Sequence, residues 1–158
     1  MKTNYLFPNH FKKIGWLLFI PGILLGIVYL IYQSDISLFD IKVFAIAEKV
    51  IFNDADFFTI SENNVLDEIS SILLIIGALL IAFSKEKTED EFISKIRLES
   101  LVWATYINYA ILILAIIFVY DMTFFWVLVF NMFTLLVFFL IRFNWALYKS
   151  KNQIGNEE

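Results

Sequence analysis

No cysteine occurs in this chain of 158 residues, and histidine occurs once, at His10. The first absence excludes disulfides, thiolate nucleophiles, thiolate-bound zinc and iron–sulfur clusters within the chain. The second removes haem ligation by paired imidazoles and histidine-based zinc sites of the HExxH type. His10 precedes the first apolar run, where it cannot reach a serine deep inside such a run, so it is expected to be solvated. Charge is also scarce: Asp, Glu, Lys and Arg make up 18% of residues, with a net charge of −4. No basic patch marks a nucleic-acid footprint, so nucleic acid is not an expected partner. What remains is apolar. Hydrophobic residues make up 60% of the chain, beyond the ~45–50% of soluble domains.

The few basic residues are placed with a pattern. Ten of the twelve fall in three places: Lys2, Lys12 and Lys13; Lys85, Lys87, Lys95 and Arg97; Arg142, Lys149 and Lys151. Lys42 and Lys49 alone occupy the first intervening connection, and the second carries none. Positively charged loops stay cytoplasmic during membrane insertion, so the alternation predicts four spans with both termini inside. The expected fold is all-α: a polytopic membrane protein with four transmembrane helices, forming one transmembrane domain over residues 1–158. The spans are placed at about 14–31, 65–83, 101–120 and 124–141, each near the ~20 residues that cross ~30 Å of hydrocarbon. The first apolar stretch, 14–32, exceeds a cleavable signal region and no small-x-small site follows, so a retained signal anchor is expected. Trp16, Trp103, Trp145 and Tyr148 fall at the proposed inner boundary, and Tyr29, Tyr32, Tyr120 and Trp126 at the outer one, as an aromatic belt requires.

The connections carry their own expectations. In the outer loop, 33–64, the stripe Val43, Phe44, Ala47, Val50 and Ile51 predicts an amphipathic helix over about 41–52. Residues 53–56 then form a turn, and Asn64 caps span two. Inside, Thr88 and Glu91 form a capping-box pattern. An amphipathic helix over 88–100 is therefore expected to run without a break into span three, about 33 residues and roughly 50 Å in all. Spans three and four, linked only by Asp121, Met122 and Thr123, must be antiparallel neighbours.

No catalytic constellation, cofactor site or metal site is expected. Asp54, Asp56, Glu62, Asp67 and Glu68 form an outer acidic cluster, but the glycine and terminal glutamate of a calcium-binding EF-hand loop are missing, so a solvated acidic loop is expected. Asn108 and Asn131 are the strongest polar side chains inside the spans. Their depths let them meet across the hairpin or pair with another copy, as modest interhelical glue. Gly15, Gly22 and Gly26 share one face of span one, with Gly22 and Gly26 in GxxxG spacing, where another helix of this chain or of a second copy can approach closely.

Leu6-Phe7-Pro8 leading into 11–16 (Phe-Lys-Lys-Ile-Gly-Trp), together with 95–104, resembles small four-span bacterial inner-membrane proteins of unknown function. The resemblance carries over no site residue. Three functions follow as expectations: an accessory, structural or signalling subunit acting through protein contacts in the bilayer, with a membrane or cytoplasmic partner or as a homo-oligomer; an oligomeric channel or transporter using Asn108, Asn131, Thr105 and Glu68; and a lipid-modifying enzyme using Asp54, Asp56 or Glu62.

Overall fold

The computed structural model describes residues 5–32, 39–48 and 56–154. The element order is α1 (His10–Tyr32), β1 (Asp40–Glu48), β2 (Asp56–Asn64), α2 (Leu66–Ala82), α3 (Glu91–Phe118) and α4 (Asp121–Ile154). Three of these, α1, α3 and α4, are long and apolar enough to cross a membrane. Only 11–17% of the residues in their apolar windows are buried within the chain. Helices this apolar, and so little covered by their own chain, suit a non-aqueous solvent. At 17 residues, or ~26 Å, α2 is shorter.

The all-α expectation is corrected in the first connection. Residues 41–47 belong to a strand rather than an amphipathic helix, and β1 pairs antiparallel with β2 from Asp40↔Asn64 to Glu48↔Asp56. The run Ile41–Ile46 is rich in β-branched and aromatic residues, which suit a pleated ribbon, and a short apolar run cannot be assigned by period alone. The Phe-Phe-Thr-Ile sequence of 57–60 supplies the strand it pairs with. Val50, Ile51 and residues 53–55 of the expected 53–56 turn lie outside the described residues, and Asp56 opens β2.

Three boundaries also shift. α3 begins at Glu91, not Thr88: Asp90 is the N-cap, and its side chain accepts from the Ile93 amide at 2.8 Å. The helix is thus 28 residues, ~42 Å. The link to α4 is Val119 and Tyr120 rather than 121–123, because α4 begins at Asp121, whose φ of 57° reverses the chain. Aspartate tolerates this left-handed conformation better than most residues. α4 then continues past Ile141 to Ile154, 34 residues in all.

The chain divides into two compact units, Met1–Phe19 with Ile75–Glu158, and Ile20–Leu74. In the first, α3 and α4 form the antiparallel hairpin that their two-residue link requires. Its core holds Ile81, Ala82, Ala104, Phe139 and Phe143. On α3 the buried positions Ile93, Ile96, Arg97, Ser100, Ala104 and Asn108 trace one helical stripe. Phe83, Phe139 and Phe143 stack in series, with ring centroids 6.2 and 5.6 Å apart. In the second unit, Gly22 faces Leu73 and Leu74, and Leu66 is buried at the start of α2. Asn64 accepts from the Leu66 amide at 3.2 Å and so caps α2.

Candidate functional site

The segment 83–86, which leaves α2, is bonded on every side. The Phe7 amide donates to the Phe83 carbonyl at 2.8 Å, and the Lys85 amide donates to the Phe7 carbonyl at 2.9 Å. Asn9 donates its side-chain amide to the Lys85 carbonyl at 2.7 Å. Arg97 donates Nη2 to the Ser84 carbonyl at 3.1 Å. Three successive carbonyls just past the end of α2 are thus each taken by a different residue. The N-terminal segment before α1 is latched onto the exit of α2 by backbone pairing.

Around this latch stand two ion pairs. Glu89 accepts from Arg97 through both carboxylate oxygens, Nη1 at 2.7 Å and Nη2 at 3.2 Å, and its Oε2 also accepts from the Glu86 amide at 2.8 Å. Their side chains are 15% and 9% exposed, which makes this a desolvated, bidentate pair of the strong kind. Arg97 also lies over the Phe143 ring, 5.0 Å from its centroid, a cation–π contact. Lys12 pairs with Glu86, joining the first turn of α1 to the same segment. Neither pair was visible in the charge pattern, which shows only that Lys12 and Arg97 belong to two of the basic clusters. The signal for Arg97 lies in its spacing: it shares the apolar stripe of Ile93, Ile96 and Ala104.

Beside the Lys12–Glu86 pair is a cavity of about 330 Å³ lined by Lys13, Trp16, Lys87, Thr88, Ile93 and Leu147, among others. Further along, Arg142 lies between two indoles, 5.6 Å from the Trp103 ring centroid and 5.3 Å from that of Trp145.

The predicted intramembrane amides do come together. Asn131 donates Nδ2 to Asn108 Oδ1 at 3.2 Å, and Asn108 is buried. Thr105 donates back to the Leu101 carbonyl at 2.8 Å, a local satisfaction common for hydroxyls in helices. The glycines of α1 meet α2 of the same chain. A Cβ on Gly15 would fall 2.9 Å from the Gly77 carbonyl oxygen, and one on Gly22 2.9 Å from the Leu74 amide nitrogen, whereas at Gly26 the nearest atom is Ser70 Oγ at 3.7 Å. Gly77, which sequence reasoning passed over, is the tightest: its Cβ would sit 2.7 Å from the Phe19 amide nitrogen.

Asp67 and Glu68 stand side by side at the start of α2, while Glu62 has a partner of its own. Glu62 faces Lys42 at 3.9 Å, both well exposed, and Glu68 accepts from Asn63 at 2.6 Å. The Asp67 carbonyl accepts from Ser70 Oγ at 3.1 Å. Asp54 and the side chain of Asp56 lie outside the described residues. Among the described residues no three His, Cys, Asp or Glu side chains gather where a metal could be held. His10 is exposed, its ring 4.5 Å from that of Phe11.

The β-hairpin presents an apolar face. Phe44, Ile46, Phe58 and Ile60 are 64–70% exposed, and the Phe44 and Phe58 rings stand 6.3 Å apart. Phe58 has φ 57°, a left-handed conformation that is an outlier for a bulky residue. The paired register skips Ile46 and Phe58 at that point.

No known protein family, curated protein or solved structure matches the chain.

Proposed function

We propose that this chain is a non-enzymatic integral membrane protein that acts through protein contacts, as an accessory, structural or signalling subunit of the bacterial inner membrane. In this reading it crosses four times with both termini cytoplasmic. The three long helices supply three spans. α2 supplies the fourth, because its ~26 Å falls only a few ångströms short of the hydrocarbon, a mismatch that costs little. The cationic clusters then fall on one side, as the positive-inside rule requires.

One observation carries the contact function: the uncovered face of Phe44, Ile46, Phe58 and Ile60 on a two-stranded ribbon. An isolated hairpin is marginal in water. Its open edges cannot be buried in hydrocarbon, where unpaired backbone groups find no partner. A protein can do both jobs, covering the face and adding a strand to an edge. A photo-crosslinking residue placed at Ile60 in intact cells tests this. A discrete protein adduct is expected; adducts to lipid alone, with the chain recovered unaccompanied from several mild detergents, would overturn it. The channel reading draws less support, since Asn108, Asn131, Thr105 and Glu68 are each engaged within the chain.

A further inference from the structure

The cavity beside the Lys12–Glu86 pair has the chemistry of an anion site. Its lining carries Lys12, Lys13 and Lys87 against one carboxylate, Glu86. Lys12 and Glu86 neutralise each other. Two cations are left over, Lys13 and Lys87, both exposed. Trp16, Ile93 and Leu147 form the apolar side of the same cavity. The end of α1 is not what creates the site: the amides of Phe11 and Lys12 already donate to the carbonyls of Pro8 and Asn9. The side chains do. At about 330 Å³ the cavity is at the small end of ligand sites, ~300–1,000 Å³, large enough for a phosphorylated headgroup and too small for a whole lipid. Trp16 stands at the boundary where the apolar run of α1 begins, the level at which indoles sit among headgroups. Leu17, next to it, is 72% exposed and offers acyl chains a surface to follow.

We infer that this cavity binds a phosphoryl anion, with Lys13 and Lys87 as its charged contacts and Trp16 at the mouth where the hydrocarbon begins. Basic pockets between helices on the cytoplasmic side take anionic headgroups by this logic. The inference rests on the membrane placement proposed above.

The test uses full-length protein in a neutral detergent, with retained lipid measured by native mass spectrometry and stability by thermal unfolding. The probes are phosphatidylglycerol, phosphatidylcholine and inorganic phosphate. Phosphatidylglycerol should be retained and should raise the melting temperature well beyond phosphatidylcholine. The double substitution Lys13→Gln and Lys87→Gln should weaken its retention roughly 30-fold. Lys95→Gln, an exposed change outside the cavity, should leave retention as it was. If millimolar inorganic phosphate displaces phosphatidylglycerol, the site takes phosphoryl anions from either source; if it does not, the source is lipid. Equal retention of the two lipids, or an equal loss in the Lys95 variant, would overturn the site. A chain that stays dispersed without detergent would instead remove the membrane placement, so the two failures are distinguishable.

Discussion

Arg97 and Glu89 meet head-on through two parallel hydrogen bonds, although Glu89 lies before the N-cap of the helix that carries Arg97. The pair is therefore tertiary, fixing the α2–α3 connection against α3. Because Arg97 also touches the Ser84 carbonyl and the Phe143 ring, one guanidinium ties the exit of α2 to both later helices.

Removing one member of this pair strands the other in a desolvated place. Arg97→Met is expected to destabilise by ~3–5 kcal/mol, while Glu89→Gln together with Arg97→Met should cost less than the two single changes added. Unfolding of all three variants in detergent by heat or denaturant measures the coupling. Strict additivity would show that the two charges are separately solvated.

Close helix approach makes a graded prediction. At Gly77 an added methyl meets the Phe19 backbone at 2.7 Å, which no side-chain rotation can relieve. Gly77→Ala should cost ~1–3 kcal/mol as α1 and α2 are pushed apart. Gly26→Ala meets only Ser70 Oγ at 3.7 Å and should be neutral or gain up to ~1 kcal/mol from helix propensity. Melting temperatures of the two variants in the same detergent decide; a reversed order would mean that α1 and α2 do not pack through these glycines.

How much of this was legible depended on whether the cause was local. The apolar runs and the helix-compatible sequences between polar breaks mark α1, α3 and α4 directly, and the depths of Asn108 and Asn131 place them level with each other. The hairpin was not legible, because the short apolar run Ile41–Ile46 fits a helical stripe as well as a strand, and only its pairing with 57–60 decides. Gly77 is one glycine in an apolar run, and only the helix opposite it gives it meaning. The burial of Arg97 was not legible from the charge count, which shows only which cluster it belongs to, whereas its place on the stripe of Ile93 and Ala104 assigns it to the interior.

The amide pair separates glue from pore. Asn131→Leu should cost ~0.6–2 kcal/mol, the range for interhelical polar contacts, and leaves Asn108 buried without its partner. Replacing both with Leu should recover part of that loss. Ion flux across reconstituted liposomes should stay at background in wild type and in both variants. A wild-type flux abolished by Asn131→Leu would establish the channel reading in place of the contact reading.

Phe58 tests whether the hairpin's apolar face is held against a backbone cost. A phenylalanine at φ 57° is disfavoured by ~1–2 kcal/mol relative to a residue that tolerates the left-handed region. Its ring contact with Phe44 contributes ~0.5–1.5 kcal/mol. Phe58→Ala loses the ring and keeps most of the strain; Phe58→Asn loses the same ring at a position asparagine adopts readily. The asparagine variant should therefore protect the hairpin amides more strongly than the alanine variant, by up to ~1 kcal/mol in hydrogen exchange. Equal protection would mean that the left-handed backbone carries no strain. Crosslinking through Ile60 should weaken equally in both, because both lack the Phe58 ring from the contact face.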